Sequence, residues 1–196
     1  MICRTVVEYD GLDSMGKAFD IGDVIAFDLL DGEHMEAMAV KEEADGVIFC
    51  AVDCFEKEYP LDESGAKRYS YDASTLRATL NEEVIKRFPD EIRSRMIPFE
   101  NGDLLRIPTE KEIFGENKYG VKELENVTQW EPMKLRRNRI ALCGHNGVTA
   151  WYWLQNGLRD VSSATGACVV GRYGCANGRL ASSVFAVRPA FKIENL

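Results

Sequence analysis

The stretch Gly171-Arg172-Tyr173-Gly174-Cys175-Ala176-Asn177-Gly178-Arg179-Leu180-Ala181-Ser182-Ser183 decides how the C-terminal half of this chain is read. Glycine and alanine alternate with side chains of unrelated chemistry, a pattern that predicts short strands joined by tight turns. The surrounding segment has the same character from Ala141 onward, with five Lys/Arg against two Asp/Glu. The net charge of −8 is therefore uneven, since the first 140 residues carry −11. That acidity argues against nucleic acid as a partner, and the mildly basic end lacks the dense Lys/Arg footprint that phosphate binding needs.

With 196 residues, 45% hydrophobic and 29% charged, the chain is expected to form one domain, 1–196, with a ligand-display segment at about 141–191. It contains no eighteen-residue apolar run, and Met1-Ile2-Cys3-Arg4-Thr5-Val6 lacks a signal-peptide core, so a cytoplasmic product without membrane insertion is expected. Six scattered cysteines lack the spacing of a disulfide framework and read mostly as reduced, buried residues.

The fold class reads as α+β. Arg4 to Tyr9, Val24 to Phe27 before the turn Asp31-Gly32, and Gly46 to Ala51 are β-rich runs that predict a small antiparallel sheet. Ser74 to Leu80 predicts a helix, with Asn81 capping a second turn through Val84, Ile85 and Phe88 that Pro89 ends. Leu104 to Pro108 reads as a strand, and Thr109-Glu110-Lys111-Glu112 is a capping box opening a short helix that stops near Gly115. The basic run Trp130 to Arg139 reads as a connecting loop paired with acidic groups. Trp151 and Trp153 share one face of a strand while Tyr152 and Leu154 share the other, both expected buried. Arg188, in Val187-Arg188-Pro189, is expected to be a buried structural hydrogen-bonder where a strand leaves the sheet.

The order of Ile21-Gly22-Asp23 with Asp31-Gly32, then Ser74 to Asn81, then Leu105 to Gly115, then Tyr152-Trp153-Leu154, then Val187-Arg188-Pro189-Ala190-Phe191 spans nearly the whole chain. It resembles an uncharacterised family of Firmicutes and their phages. That family in turn resembles the C-type-lectin-like branch holding formylglycine-generating enzymes and the target proteins of diversity-generating retroelements. The resemblance implies a C-type-lectin-like fold of small antiparallel sheets, two or more short helices and a loop-rich C-terminal half. It also implies a phage or mobile-element origin, virion association, and a receptor-binding or otherwise diversified role toward a protein or cell-surface ligand.

The variable segment of retroelement targets lies just before the C-terminus, which here corresponds to about Gln155 to Phe185. Ser163, Ala164, Ala167, Gly174, Ala176, Ala181 and Ser182 form its small-residue skeleton. The candidate binding residues displayed on it are Asn156, Arg159, Thr165, Arg172, Tyr173, Cys175, Asn177, Arg179, Leu180, Ser183 and Phe185. Tyr, Arg and Phe are typical interface anchors.

Two alternatives accompany this reading. Formylglycine-generating enzymes bind copper through two C-terminal cysteines, and Cys168 and Cys175 lie in the corresponding region. Soft thiolates select Cu(I), but an odd separation puts these two on opposite faces of a continuous strand. The other alternative is a structural domain with no exposed site. His34 and His145 lack zinc-site neighbours, and Asn156, Asp160 and Asn177 are too sparse for calcium. The expectation is a non-enzymatic binding protein with no catalytic residue, no metal and no cofactor.

Overall fold

The computed structural model describes residues 6–8, 19–64, 69–143, 147–159 and 165–194. Half of the expected strand at Arg4 to Tyr9 (Arg4, Thr5 and Tyr9), together with Cys3, the His145 loop, Asp160 and the skeleton residues Ser163 and Ala164, lies outside them.

The architecture is α+β, and its strands follow from two-residue alternation. β1 (Val6–Glu8), β2 (Val24–Asp28), β3 (His34–Glu42) and β4 (Gly46–Ala51) come first, β5 (Tyr59–Pro60) and β6 (Met96–Ile97) are short, and the last strand is β13 (Ala190–Glu194). Six of these form one sheet in the order β1-β2-β3-β4-β13-β6. It is antiparallel except that β1 runs parallel to β2. Every residue of β4 is buried, which accounts for its unbroken apolar run: Val47, Phe49 and Ala51 enter one core, Ile48 and Cys50 the other. Phe191 of β13 stacks on Phe49 at 5.9 Å and meets Phe88 edge-on at 5.6 Å.

A second sheet, in the order β11-β10-β9, consists of β9 (Tyr152–Gly157), β10 (Gly166–Val170) and β11 (Ala176–Leu180). Its inner strands are buried on both faces: Trp153, Ala167 and Val169 join the first core, while Tyr152, Leu154, Cys168 and Val170 join the second. Two short pairs complete the strands, β7 (Leu142–Cys143) with β8 (Val148–Thr149) and β12 (Val184–Phe185) with β5.

Three short helices stand between. α1 (Thr75–Glu82) is capped by Ser74, whose Oγ accepts from the Arg77 N–H. Asn81 does not cap a further turn. Its side chain bonds the main chain of Leu104 and Leu105 at 2.9–3.1 Å and holds that segment against the helix. Pro89 ends the following 3-10 turn and also stands at the N-cap of α2 (Asp90–Arg93). Residues 104–108 form no strand beyond a bridge between Arg106 and Ala190, because much of their polar main chain is taken by the side chains of Tyr71, Asn81 and Gln155. The capping box of α3 (Glu110–Phe114) is present in full. Glu112, its reciprocal member, also holds buried Arg106 through two bonds of 2.6 and 2.8 Å.

The basic run after Trp130 is two 3-10 turns, Glu131–Lys134 and Arg136–Arg139. Lys134 pairs with Glu131, but Arg136 bonds a carbonyl and a thiol of the 171–175 turn instead of an acid. Arg188 is 2% exposed and donates to Ala51 O, Asn138 O and Tyr152 Oη. Pro189 precedes β13 rather than leaving a strand.

Candidate functional site

The face expected for ligand display is built on the buried pair β9 and β10. β10 pairs with β11 from Gly166↔Leu180 to Val170↔Ala176, so the chain must reverse within residues 171–175. Gly171 N–H donates to Cys175 O and Gly174 N–H to Gly171 O, both at 2.8 Å. Gly174 adopts φ +69°, and a Cβ there would stand 3.0 Å from Arg136 O, so the turn requires glycine on both counts. Arg136 fixes it from the side, with Nε donating to Tyr173 O at 2.7 Å and Nη2 lying 3.3 Å from Cys175 Sγ. Arg172 and Tyr173 are thereby left in solvent, Tyr173 with 73% of its surface exposed.

β11 continues as the edge strand of its sheet, and its exposed backbone is closed by its own side chains. Asn177 Oδ1 accepts from Gly178 N–H, and Arg179 Nη1 donates to both Asn177 Oδ1 and Gly178 O, each at 2.8 Å. An edge whose central groups are satisfied this way is a poor template for another strand. What this face offers to solvent is therefore side chains rather than an open strand edge. The Arg179 guanidinium lies 4.2 Å over the ring of Trp151, which stacks on Phe185 at 6.1 Å; Phe185 in turn meets Trp153 at 5.0 Å. Leu180 and Val184, each 54% exposed, stand beside this stack on the turn into β12.

The expected residues fall into three groups. Arg172, Tyr173 and Cys175 gather at the 171–175 turn. Asn177 and Arg179 line the edge, and half-buried Thr165, Leu180, half-buried Ser183 and exposed Arg159 lie toward the other end of β10, about 17 Å of strand away. Arg159 Nη2 donates to Lys118 O at 2.7 Å.

Two expectations are corrected. Asn156 is not displayed. It follows Tyr152 and Leu154 at two-residue spacing, so the alternation itself turns it inward to 9% exposure. Its Oδ1 accepts from Glu110 N–H at 2.6 Å and its Nδ2 donates to Glu123 Oε1 at 2.8 Å. Beside it, fully buried Glu110 accepts from Tyr119 N–H and Gly120 N–H at 2.9 and 2.8 Å. Phe185 is half-buried between two tryptophans and serves as the floor of the face. Arg136 and Trp151 belong to the site but were not among the expected residues. A cation at a turn and an aromatic flanking a buried strand carried no local signal that they would meet this hairpin.

The two cysteines of the enzymatic alternative are separated. Cys168 is buried on β10 opposite Gly178, and burial, reinforced by the Glu110 carboxylate, pushes its thiol well above the ordinary range. Cys175 is exposed on the turn, three residue steps along the strand, or about 10 Å. Among the described residues no three His, Cys, Asp or Glu side chains converge on a common point.

No curated protein and no solved structure matches the chain. Residues 45–195, which run from β4 through the β10–β11 hairpin to β13, match the family described as Domain of unknown function (DUF6273), and the chain belongs to that family.

Proposed function

We propose that this chain is a non-enzymatic binding protein of C-type-lectin-like architecture, and that the face formed by the 171–175 turn, β11 and the turn into β12 contacts a protein or cell-surface ligand. One observation carries the reading: a run of exposed guanidinium, phenol and aliphatic groups stands on a hairpin whose inner strand is fully buried and whose turn is pinned from outside. Such an arrangement presents interface-type side chains at low conformational cost, because the backbone is already ordered. The small antiparallel sheets, three short helices and loop-rich C-terminal half support the architecture. A phage or mobile-element origin and diversification by a retroelement follow from the same resemblance.

The test is deep sequencing of codons 155–185 in a population of the source organism or phage, with codons 74–115 as an internal control. Substitutions concentrated at Arg172, Tyr173, Cys175, Asn177, Arg179, Leu180 and Ser183, with Asn156 and Gly178 constant, are expected. Equal constancy of both stretches would remove diversification from the proposal, and substitutions concentrated at buried positions would remove the display face itself.

A further inference from the structure

The most unusual charge in the molecule lies away from the display face. Arg188 is 2% exposed, yet no carboxylate pairs with it among the described residues. Its Nε is committed to Ala51 O at 2.7 Å, and its Nη1 to Asn138 O at 2.9 Å and Tyr152 Oη at 3.2 Å. Nη2 donates to no described residue. The same side chain lines a cavity of about 190 Å³. A guanidinium this buried with no carboxylate partner is unusual, because buried cations are ordinarily paired.

The walls restrict what could answer that charge. Met38, Val52, Ile140 and Leu142 supply the aliphatic part of a mixed lining whose polar part is Asp53, Asn138 and Arg188 itself. Only one nitrogen is uncommitted, so the site offers a single charged donor group rather than the two-nitrogen fork that grips phosphate. Asp53 is exposed on the lining, its Oδ1 accepting from Leu142 N–H at 2.9 Å. A carboxylate in that position repels a second negative charge on any occupant. The volume accommodates several non-hydrogen atoms but not a nucleotide or a sugar chain.

From these four features we infer that the cavity is a binding site for a short aliphatic monocarboxylate, with one carboxylate oxygen on Arg188 Nη2 and the alkyl tail against Met38, Val52, Ile140 and Leu142. The guanidinium sets the charge of the ligand, the walls its tail and Asp53 its valence. This site is independent of the proposed display function, although one wall is shared: Ile140 Cγ1 would lie 3.3 Å from a Cβ at Gly174, beneath the Tyr173 turn.

The test is two-dimensional NMR titration of the intact chain with isobutyrate, with isobutyramide, succinate and inorganic phosphate as comparators. Isobutyrate is expected to shift the Val52, Ile140 and Leu142 amides with a dissociation constant on the order of 1 mM, as befits so small a ligand. The neutral amide and the two multiply charged anions should bind at least tenfold more weakly. Asp53→Asn, which keeps an oxygen for Leu142 N–H, should tighten isobutyrate about fivefold by removing a like charge. Leu142→Trp, which fills the cavity, should abolish the shifts. No saturable shift with isobutyrate, equal binding of isobutyramide or phosphate, or full binding by a folded Leu142→Trp variant would each overturn the assignment. Should Leu142→Trp fail to fold, the comparison of the four compounds on the unaltered chain still decides.

Discussion

Arg188 and Glu110 show how single residues tie the two cores to the C-terminal segment. Arg188 joins β4, the Arg136–Arg139 turn and β9 through three hydrogen bonds, and burial, which disfavours its charge, is outweighed by Tyr152 and the thiols of Cys50 and Cys54, so that the guanidinium stays charged. Arg188→Met is expected to lower stability by about 3 kcal/mol, because it strands the buried Ala51 carbonyl, the part-buried Asn138 carbonyl and the Tyr152 hydroxyl; urea unfolding measures this directly. Glu110 makes the corresponding junction on the other side, where its carboxylate gathers the N–H groups of Tyr119 and Gly120. A Cβ at Gly120 would stand 2.6 Å from Asn156 Cβ and 2.8 Å from Glu110 Oε2. Gly120→Ala should therefore cost about 2 kcal/mol or more through overpacking, and thermal melting showing a change within about 0.5 kcal/mol would refute the close approach.

Among the elements, α3 depends on its capping box and β13 on an ion cluster. Thr109→Ala removes the Oγ that accepts from Glu112 N–H, and about 1 kcal/mol of stability should go with it in equilibrium unfolding. Lys192 of β13 lies 2.8 Å from Asp45 and 3.4 Å from Glu43, tying the last strand to the turn between β3 and β4. Burial raises the Glu43 carboxyl, but Lys41 and Lys192 outweigh it and hold it below the ordinary value; Lys192 also holds Asp45 low. Carboxyls depressed in the folded state contribute stability that is complete above their unfolded values near pH 4. It is lost as pH falls through the lower folded values. The melting temperature should therefore fall below about pH 4, and Lys192→Met should make that acid fall shallower while leaving a cooperative transition. Equal acid slopes in the two proteins would show that the cluster contributes nothing.

At the scale of the whole molecule, the side chains proposed for display stand on the surface of a hairpin whose inner strand belongs to both cores. Changing Arg172, Tyr173 and Arg179 together to Ala removes two exposed side chains and one cation–π contact, so the loss should stay within about 1.5 kcal/mol. Failure of the triple variant to melt cooperatively would place these residues in the framework and end the display reading. Much of this organisation was legible in the chain. β-rich runs identified β2 and the core of β4, two-residue alternation the two faces of β9, four-residue leucine spacing α1 and a local capping signature α3, because such elements are specified by neighbours a few positions apart. The same alternation held the answer for Asn156, two residues beyond Leu154, whose polar side chain reads as exposed unless the face is followed to its end. What no local pattern contained was the set of partners across long separations: β13 beside β4, Arg136 on the Tyr173 turn, Arg179 over Trp151, and the cavity that Arg188 lines. By itself the sequence determined the periods, caps and turns, since these are short-range steric and hydrogen-bonding preferences. Tertiary structure alone decided which polar groups were buried together and which were left facing solvent, since that depends on contacts between segments that the chain keeps up to 149 residues apart.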